Sequence, residues 1–302
     1  MPAPTIRPVV VGVDGSESAL AAVRWAAHAA MLRGAPLHAV HAMSSGWDLG
    51  DHLGVIALHD HGFHTAGKAA LAAAEAVAIA ETAPYPLTVS TSLVSPAPVS
   101  ALRREARHGQ LLVVGARGLG KFERTVLGSV SGALARHSKC PLVIIPGAQP
   151  PVSRQLPVLV GVDGSPASHR AVRFAIEEAS RRGVGLTAIS VWMDSRPGVS
   201  SAEMTANAHN LLSRSLAGYG ESFAEVPVTR LVVKGDPAHR LLRAATEAQL
   251  IVLGHTGGLT RAVHGSVSRT VLHTTTTPFV LVGQQGALID TRSASLGRDQ
   301  IG

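Results

Sequence analysis

The residues best suited to chemistry lie in one stretch, Leu112 to Ser131, which reads LVVGARGLGKFERTVLGSVS. An apolar run, Leu111 to Val114, reads as a buried strand and ends on Gly115 and Gly118. Nine residues later, Gly128-Ser129 opens a segment with helical spacing (Val130, Leu134, His137). That combination suits a phosphate. Glycines let the backbone come close to an anion. The first N–H groups of a helix lack internal partners, and the helix dipole adds about half a positive charge there. Ser129 and Ser131 add hydroxyl donors. Turn and cap duties alone would also explain such residues in a single copy, but the stretch occurs twice. LIVLGHTGGLTRAVHGSVS, Leu250 to Ser268, repeats the strand, Gly254 and Gly257, and Gly265-Ser266-Val267-Ser268.

Two aspartates join these loops. Asp14 and Asp163 each follow an apolar strand at its carboxyl end, where a carboxylate can accept hydrogen bonds from a ribose or an amino group. Asp is also a good helix N-cap, but Ser16 and Ser165 stand ready for that role. The loop is not a Walker motif, because Gly120-Lys121 is followed by Phe122 where Ser or Thr is required. Nor is Gly115-x-x-Gly118 a dinucleotide fingerprint: its spacing differs, and it follows the fourth strand of its copy. No catalytic set accompanies the loop. Hydrolysis asks for a general base and usually a metal-binding carboxylate near the phosphates. Glu123 is the only acid in the first loop and the second has none, so we expect binding with slow hydrolysis at most and no catalytic residue. His52, His59, His61 and His64 raise a metal reading. Their Gly and Asp neighbours read as a mobile loop, and we expect no metal site.

The elements that position these residues come in two copies. Val9 to Ala30 matches Val158 to Ala179 at an offset of 149, and Gly34 to Met43 continues at the same offset. Gly115 matches Gly254 at 139, and Gly128 matches Gly265 at 137. The second copy therefore lacks ten residues between about 45 and 90, and two more inside the glycine loop. In the first copy the pattern predicts strands at Val9 to Val13, Leu37 to Ala42, Leu87 to Val94, Leu111 to Val114 and Leu142 to Ile145. Helices are predicted at Ala19 to Met31, Ala66 to Ala80, Val99 to Arg107 and Leu127 to His137. Alternating strands and helices with short connections give an α/β protein. We expect two tandem doubly wound domains, each a five-stranded parallel sheet with helices on both faces. Ligands bind such sheets at the carboxyl ends of strands, near the switch in strand order. The expected divisions are residues 1–147 for the first domain, 148–156 for a linker, 157–285 for the second domain and 286–302 for a disordered tail.

Composition narrows the class. Apolar residues make up 46%, enough for sizeable cores, while aromatics are only 3%, so Ala, Val and Leu must do the packing. The formal charge is +7, but the basic residues are scattered and few aromatics could stack on bases, so nucleic acid is not the expected partner. No run reaches the roughly 18 apolar residues of a membrane span, and the opening MPAPTIRPVVVGVDG lacks a secretory pattern. With one cysteine, Cys140, no internal disulfide can form, which suits a reducing, cytoplasmic location.

Both halves resemble universal stress protein domains, and the chain is similar to a tandem two-domain member of that family. Its ATP-binding members carry G-x2-G-x9-G-[ST] after the fourth strand, matched in full from Gly115 to Ser129, and an aspartate after the first strand, matched by Asp14 and Asp163. The resemblance implies ATP, with or without magnesium, its adenine near Gly12, Val13 and Ala42, and Asp14 on the adenine or ribose side. Gly115, Arg117 and Gly118 would pass along the ribose and phosphates, which Gly128, Ser129, Val130 and Ser131 would cradle. The matching positions of the second half are Gly161, Val162, Asp163, Val191, Gly254, Thr256, Gly257, Gly265, Ser266, Val267 and Ser268. There the loop departs from the pattern, with seven residues between Gly257 and Gly265. The first half departs elsewhere, with Pro96-Ala97-Pro98 where the second has Gly235-Asp236-Pro237. The implied role is regulatory, in stress response, with little or no ATP turnover. The alternatives are an ATP-using enzyme of similar sheet topology and a protein-interaction module that binds no nucleotide. In this family the apolar last strands, here Leu142 to Ile145 and Phe279 to Val282, pair between domains. The resemblance therefore implies an internal pseudo-dimer of the two halves, and a homodimer is a further option.

Overall fold

The structure is a computed structural model that describes residues 6–43, 56–95, 97–116, 128–137, 140–147, 153–193, 198–255 and 264–283; for 56–61, 63, 137 and 264–266 it describes the backbone only. The first half runs β1 (Val9–Gly12), α1 (Glu17–Leu32), β2 (Leu37–Ala42), α2 (Ile56–Thr82), β3 (Val89–Val94), α3 (Pro98–Ala106), β4 (Leu111–Gly115), α4 (Ser129–His137) and β5 (Leu142–Ile145). The second runs β6 (Val158–Gly161), α5 (Pro166–Arg182), β7 (Leu186–Trp192), α6 (Ser201–Ser215), a short α7 (Tyr219–Ser222), β8 (Val228–Lys234), α8 (Pro237–Ala245), β9 (Leu250–Gly254), α9 (His264–Thr274) and β10 (Phe279–Val282).

The expected α/β architecture is present. The strands form one ten-stranded sheet in the order β3-β2-β1-β4-β5-β10-β9-β6-β7-β8. Among the described residues every pairing within a half is parallel, and only β5 and β10 meet antiparallel, with Val143 opposite Val280. Alternate residues of the strands feed two cores. Val9, Val11, Leu111 and Val113 pack with α1, α2, α5 and α6, whereas Val10, Leu112 and Val114 pack with α3, α4, α8 and α9. Both cores run unbroken across the junction between halves. Alanine does much of the packing: Ala22, Ala26, Ala27, Ala29 and Ala30 of α1 are fully buried. Small side chains let that helix lie close to the sheet, which explains how a chain so poor in aromatics builds a core.

One helix differs from the sequence expectation. It was expected to begin at Ala66, with the histidines before it in a mobile loop; instead α2 begins at Ile56 and carries His59, His61 and His64 within it. No proline interrupts this segment and Gly62 is its only glycine before Gly67, so the alanine-rich helix extends upstream through it. His52 lies outside the described residues. The ten-residue deletion of the second copy falls here, where α6 has 15 residues against 27 in α2.

Charges are buried where α1 and α5 meet. Arg33, the C-cap residue of α1, pairs with Glu178 of α5, with side chains 4% and 0% exposed. Glu178 also accepts from Arg182 Nε at 3.2 Å and lies 3.6 Å from Arg181. Burial alone would raise the Glu178 pKa, but the guanidiniums of Arg33, Arg182 and Arg181 outweigh it and hold the carboxyl below its usual range. The Arg182 guanidinium lies 5.1 Å from the centre of the Trp25 ring, and its Nη1 donates to Gln249 Oε1 at 3.0 Å. From the expected linker, Arg154 reaches Glu81 of α2 at 2.5 Å. His28 sits among these groups, and burial, then Arg154 and Arg182, lower its pKa to about 4.

Two outcomes follow from this packing. Phe279→Ala removes a fully buried ring from the strand that joins the halves, and urea unfolding should show a loss of about 3–5 kcal/mol. His28 has a depressed folded pKa, so the unfolded chain binds more protons between about pH 6.5 and 4, and stability falls as pH drops through that window. His28→Asn should make the decline of Tm between those pH values shallower than in the parent.

Candidate functional site

In each half the winding reverses between the first and fourth strands, the point at which a doubly wound sheet leaves a crevice beyond its carboxyl ends. In the first half Gly12, Val13 and Asp14 line one side and Gly115 and Ala116 the other, with Ala42 at the end of neighbouring β2. The start of α4 is fastened to this edge. The Gly128 N–H donates to the Ala116 carbonyl at 2.8 Å, and the Gly128 carbonyl accepts from the Gly132 N–H at 2.9 Å. Gly128 is thus the residue from which the helix springs. Ser129 is exposed and Val130 half-buried in its first turn. Ser131 is buried, and its hydroxyl donates to the Gly115 carbonyl at 2.7 Å. That proton is committed to bracing the loop, which leaves the backbone N–H as the group Ser131 can present to an anion.

Asp14 is half-buried at the end of β1. One carboxylate oxygen accepts from the Ser16 N–H at 3.0 Å and the Ser16 hydroxyl at 2.6 Å. Ser16 in turn caps α1 by accepting from the Ala19 N–H at 3.1 Å. The cap is therefore the serine, as the sequence suggested, and the aspartate fixes the turn. Among the described residues its second oxygen takes no hydrogen bond, and it stands beside the crevice. The second half repeats the plan: Ser165 caps α5, and Asp163 Oδ1 accepts from the Ser165 N–H at 2.9 Å, but Asp163 is exposed.

The loops differ between halves. Arg117, Gly118, Thr256 and Gly257 lie outside the described residues. In the second half α9 begins at His264, so Gly265 and Ser266 fall inside its first turn, whereas their counterparts Gly128 and Ser129 are the cap and first residue of α4. Val267 and Ser268 follow in α9, half-buried, while Gly161, Val162 and Val191 occupy the strand ends that match Gly12, Val13 and Ala42.

Some contributors were not read from the sequence. Gly115 and Gly254 have a packing reason to be glycine. A Cβ on Gly115 would lie 2.4 Å from Ser18 Oγ and 2.8 Å from the Ser18 carbonyl carbon. On Gly254 it would lie 2.3 Å from the carbonyl carbon of Ala167. These glycines let the first turns of α1 and α5 press against the crevice wall. The second crevice edge also carries side chains that the first lacks. Trp192 and Lys234 end β7 and β8 with the ammonium 5.3 Å from the ring centre, and His255 follows β9 where the first half has Ala116. Alignment of the copies could have found them, since Met43 and Ser95 stand opposite Trp192 and Lys234.

The Universal stress protein family model matches residues 5–146 and again 156–283. The chain belongs to the universal stress protein family. Universal stress protein Rv2623 of Mycobacterium tuberculosis (strain ATCC 25618 / H37Rv) is 39% identical over 286 residues, covering 90% of this chain and 95% of that protein. Universal stress protein Rv2005c of the same strain is 38% identical over 290 residues, covering 91% and 97%. Among solved structures, a universal stress protein from Archaeoglobus fulgidus DSM 4304 superposes with a TM-score of 0.66 at 20% identity, covering 92% of this chain and 96% of that one, a likeness of fold. Among the described residues no helix is long and apolar enough to cross a membrane, and no three His, Cys, Asp or Glu are grouped to hold a metal ion.

The packing of this universal stress protein makes Gly115 a stability residue before any ligand arrives. Gly115→Ala should lower the Tm of nucleotide-free protein by an amount equivalent to about 1–3 kcal/mol, because the first turn of α1 must shift. An unchanged Tm would leave ligand approach as the sole reason for that glycine.

Proposed function

We propose that this universal stress protein binds ATP in the crevice of its first half and acts as a regulatory, stress-response protein with little or no turnover. The observation that carries the reading is the fastening of the α4 N-terminus to the end of β4, beside the switch point and next to the free edge of Asp14. The donor set fits a nucleotide. An acceptor carboxylate on one side suits an amino group or ribose hydroxyl, and a helix N-terminus on the other suits phosphates. Asp14, Gly12, Val13 and Ala42 serve the adenine and ribose side; Gly128, Ser129, Val130 and Ser131 serve the phosphates, together with Gly115, Arg117 and Gly118. Magnesium, when present, would be held chiefly by phosphate oxygens, because the ends of β1 and β4 and the first turn of α4 supply one carboxylate, Asp14. That scarcity of acids also supports binding over hydrolysis.

The second half takes ATP less tightly in this reading, since its helix start and its aspartate sit differently. We further propose domain limits at 147 and 157, a cytoplasmic setting, and an internal pseudo-dimer of the two halves as the working unit, with pairing of two chains as an added level.

Nucleotide released by denaturing freshly purified protein, identified by chromatography and set against moles of chain, tests this. We expect close to one ATP per chain, and Asp14→Ala should weaken ATP binding by roughly 10-fold or more, the loss of a hydrogen bond to a charged group. Two ATP per chain would place a working site in each half. No bound nucleotide and no binding on titration would turn the assignment to a protein-interaction module, and steady turnover at ordinary enzyme rates would turn it to an ATP-using enzyme.

A further inference from the structure

Independently of any nucleotide, the charges between α1 and α5 carry a rule for how the halves recognise each other. Arg33 and Arg182 occupy the same place in the repeat, 149 residues apart. Both bond the carboxylate of Glu178, Arg33 through Oε1 and Arg182 through Oε2. The three side chains are 4%, 5% and 0% exposed. The counterpart of Glu178 in the first half is Ala29, also fully buried. One acid therefore serves two symmetry-related bases, and only the second half supplies it.

We propose that Glu178 is a pairing lock, which lets the first half dock onto the second and not onto a copy of itself. Two first halves brought together in this geometry would bury Arg33 against Arg33 with no carboxylate between them, and burying unpaired charge is costly. Two second halves would crowd two glutamates among four arginines, Arg181 and Arg182 of each. The unlike pair gives each buried arginine a carboxylate oxygen, which a pair of first halves cannot do. The β5–β10 junction has no such preference of its own: both strands are short, wholly apolar and buried. Selectivity falls to the charges, much as one buried polar group sets partner choice in coiled coils. Arg182 Nη2, buried and without a hydrogen-bond partner among the described residues, is a spare donor facing this cluster.

The pseudo-symmetry supplies the test, in the full-length chain. Glu178→Gln keeps the side chain's size and removes its charge. Its Tm should fall by roughly 6 °C or more, and light scattering should show added higher-mass species as the loosened junction exposes β5 and β10. Moving the acid to the other half, Ala29→Glu with Glu178→Ala, should recover at least half of the Tm that Glu178→Ala alone loses, along with the parent's mass distribution. This comparison holds even if Glu178→Gln fails to fold. Glu81→Gln, which breaks the outer pair with Arg154, should cost far less, because Arg154 is 60% exposed. A Glu178→Gln variant with parental Tm would overturn the lock. So would a transplant no more stable than Glu178→Ala, since the acid would then act within α5 and not between halves.

Discussion

The antiparallel meeting of β5 and β10 is the constraint on which the rest of this molecule depends. A five-stranded parallel sheet ends on an apolar strand whose outer backbone groups need partners. Each half here solves that problem with the other half's identical problem. Once those strands pair, Val143 and Val280 face each other, both cores become continuous, and α1 and α5 are brought together. The buried charges follow from that placement. Two guanidiniums, those of Arg33 and Arg182, and a carboxylate can sit away from water because each has a bonding partner in the cluster, and the Trp25 ring lies over one of them.

Much of this arrangement was legible in the residues. Apolar runs such as Val9 to Val11 and Leu111 to Val114, bounded by glycine, read as doubly covered strands, and the internal repeat doubled the inferences drawn from the first copy. Serine caps at Ser16 and Ser165 could be read because capping is local chemistry. What escaped was non-local or context-driven. The long start of α2 escaped because Gly62 and scattered histidines read as loop, while helix propagation from the alanine-rich segment prevailed. Glu178 escaped because an acid beside Glu177 and two arginines in an amphipathic helix reads as a solvated face. Only the docking of α1 shows that it is fully buried.

At the candidate site the same contrast holds. Types and spacing revealed Gly115, Gly128, Ser131 and Asp14, but not how they are used. Ser131 looked like a donor to a ligand and spends its hydroxyl on the Gly115 carbonyl. Gly115 looked like a place for an anion to approach, and it is first a place for Ser18 to approach. Two demands would select the same residue type here: the first turn of α1 fills the place of the missing methyl, and the proposed approach of a phosphate also calls for glycine. Spacing alone cannot separate those demands, because both ask for the same absent atom.

The antiparallel junction also sets a direction. Strands of the two halves run in opposite senses, so the carboxyl edge of one half lies at the amino edge of the other. The two crevices consequently open at opposite ends of the sheet. No single small molecule can span them, and a protein that docks over one mouth leaves the other uncovered. The two proposed sites thus sit on opposite edges of one continuous sheet, like the two ends of a connector.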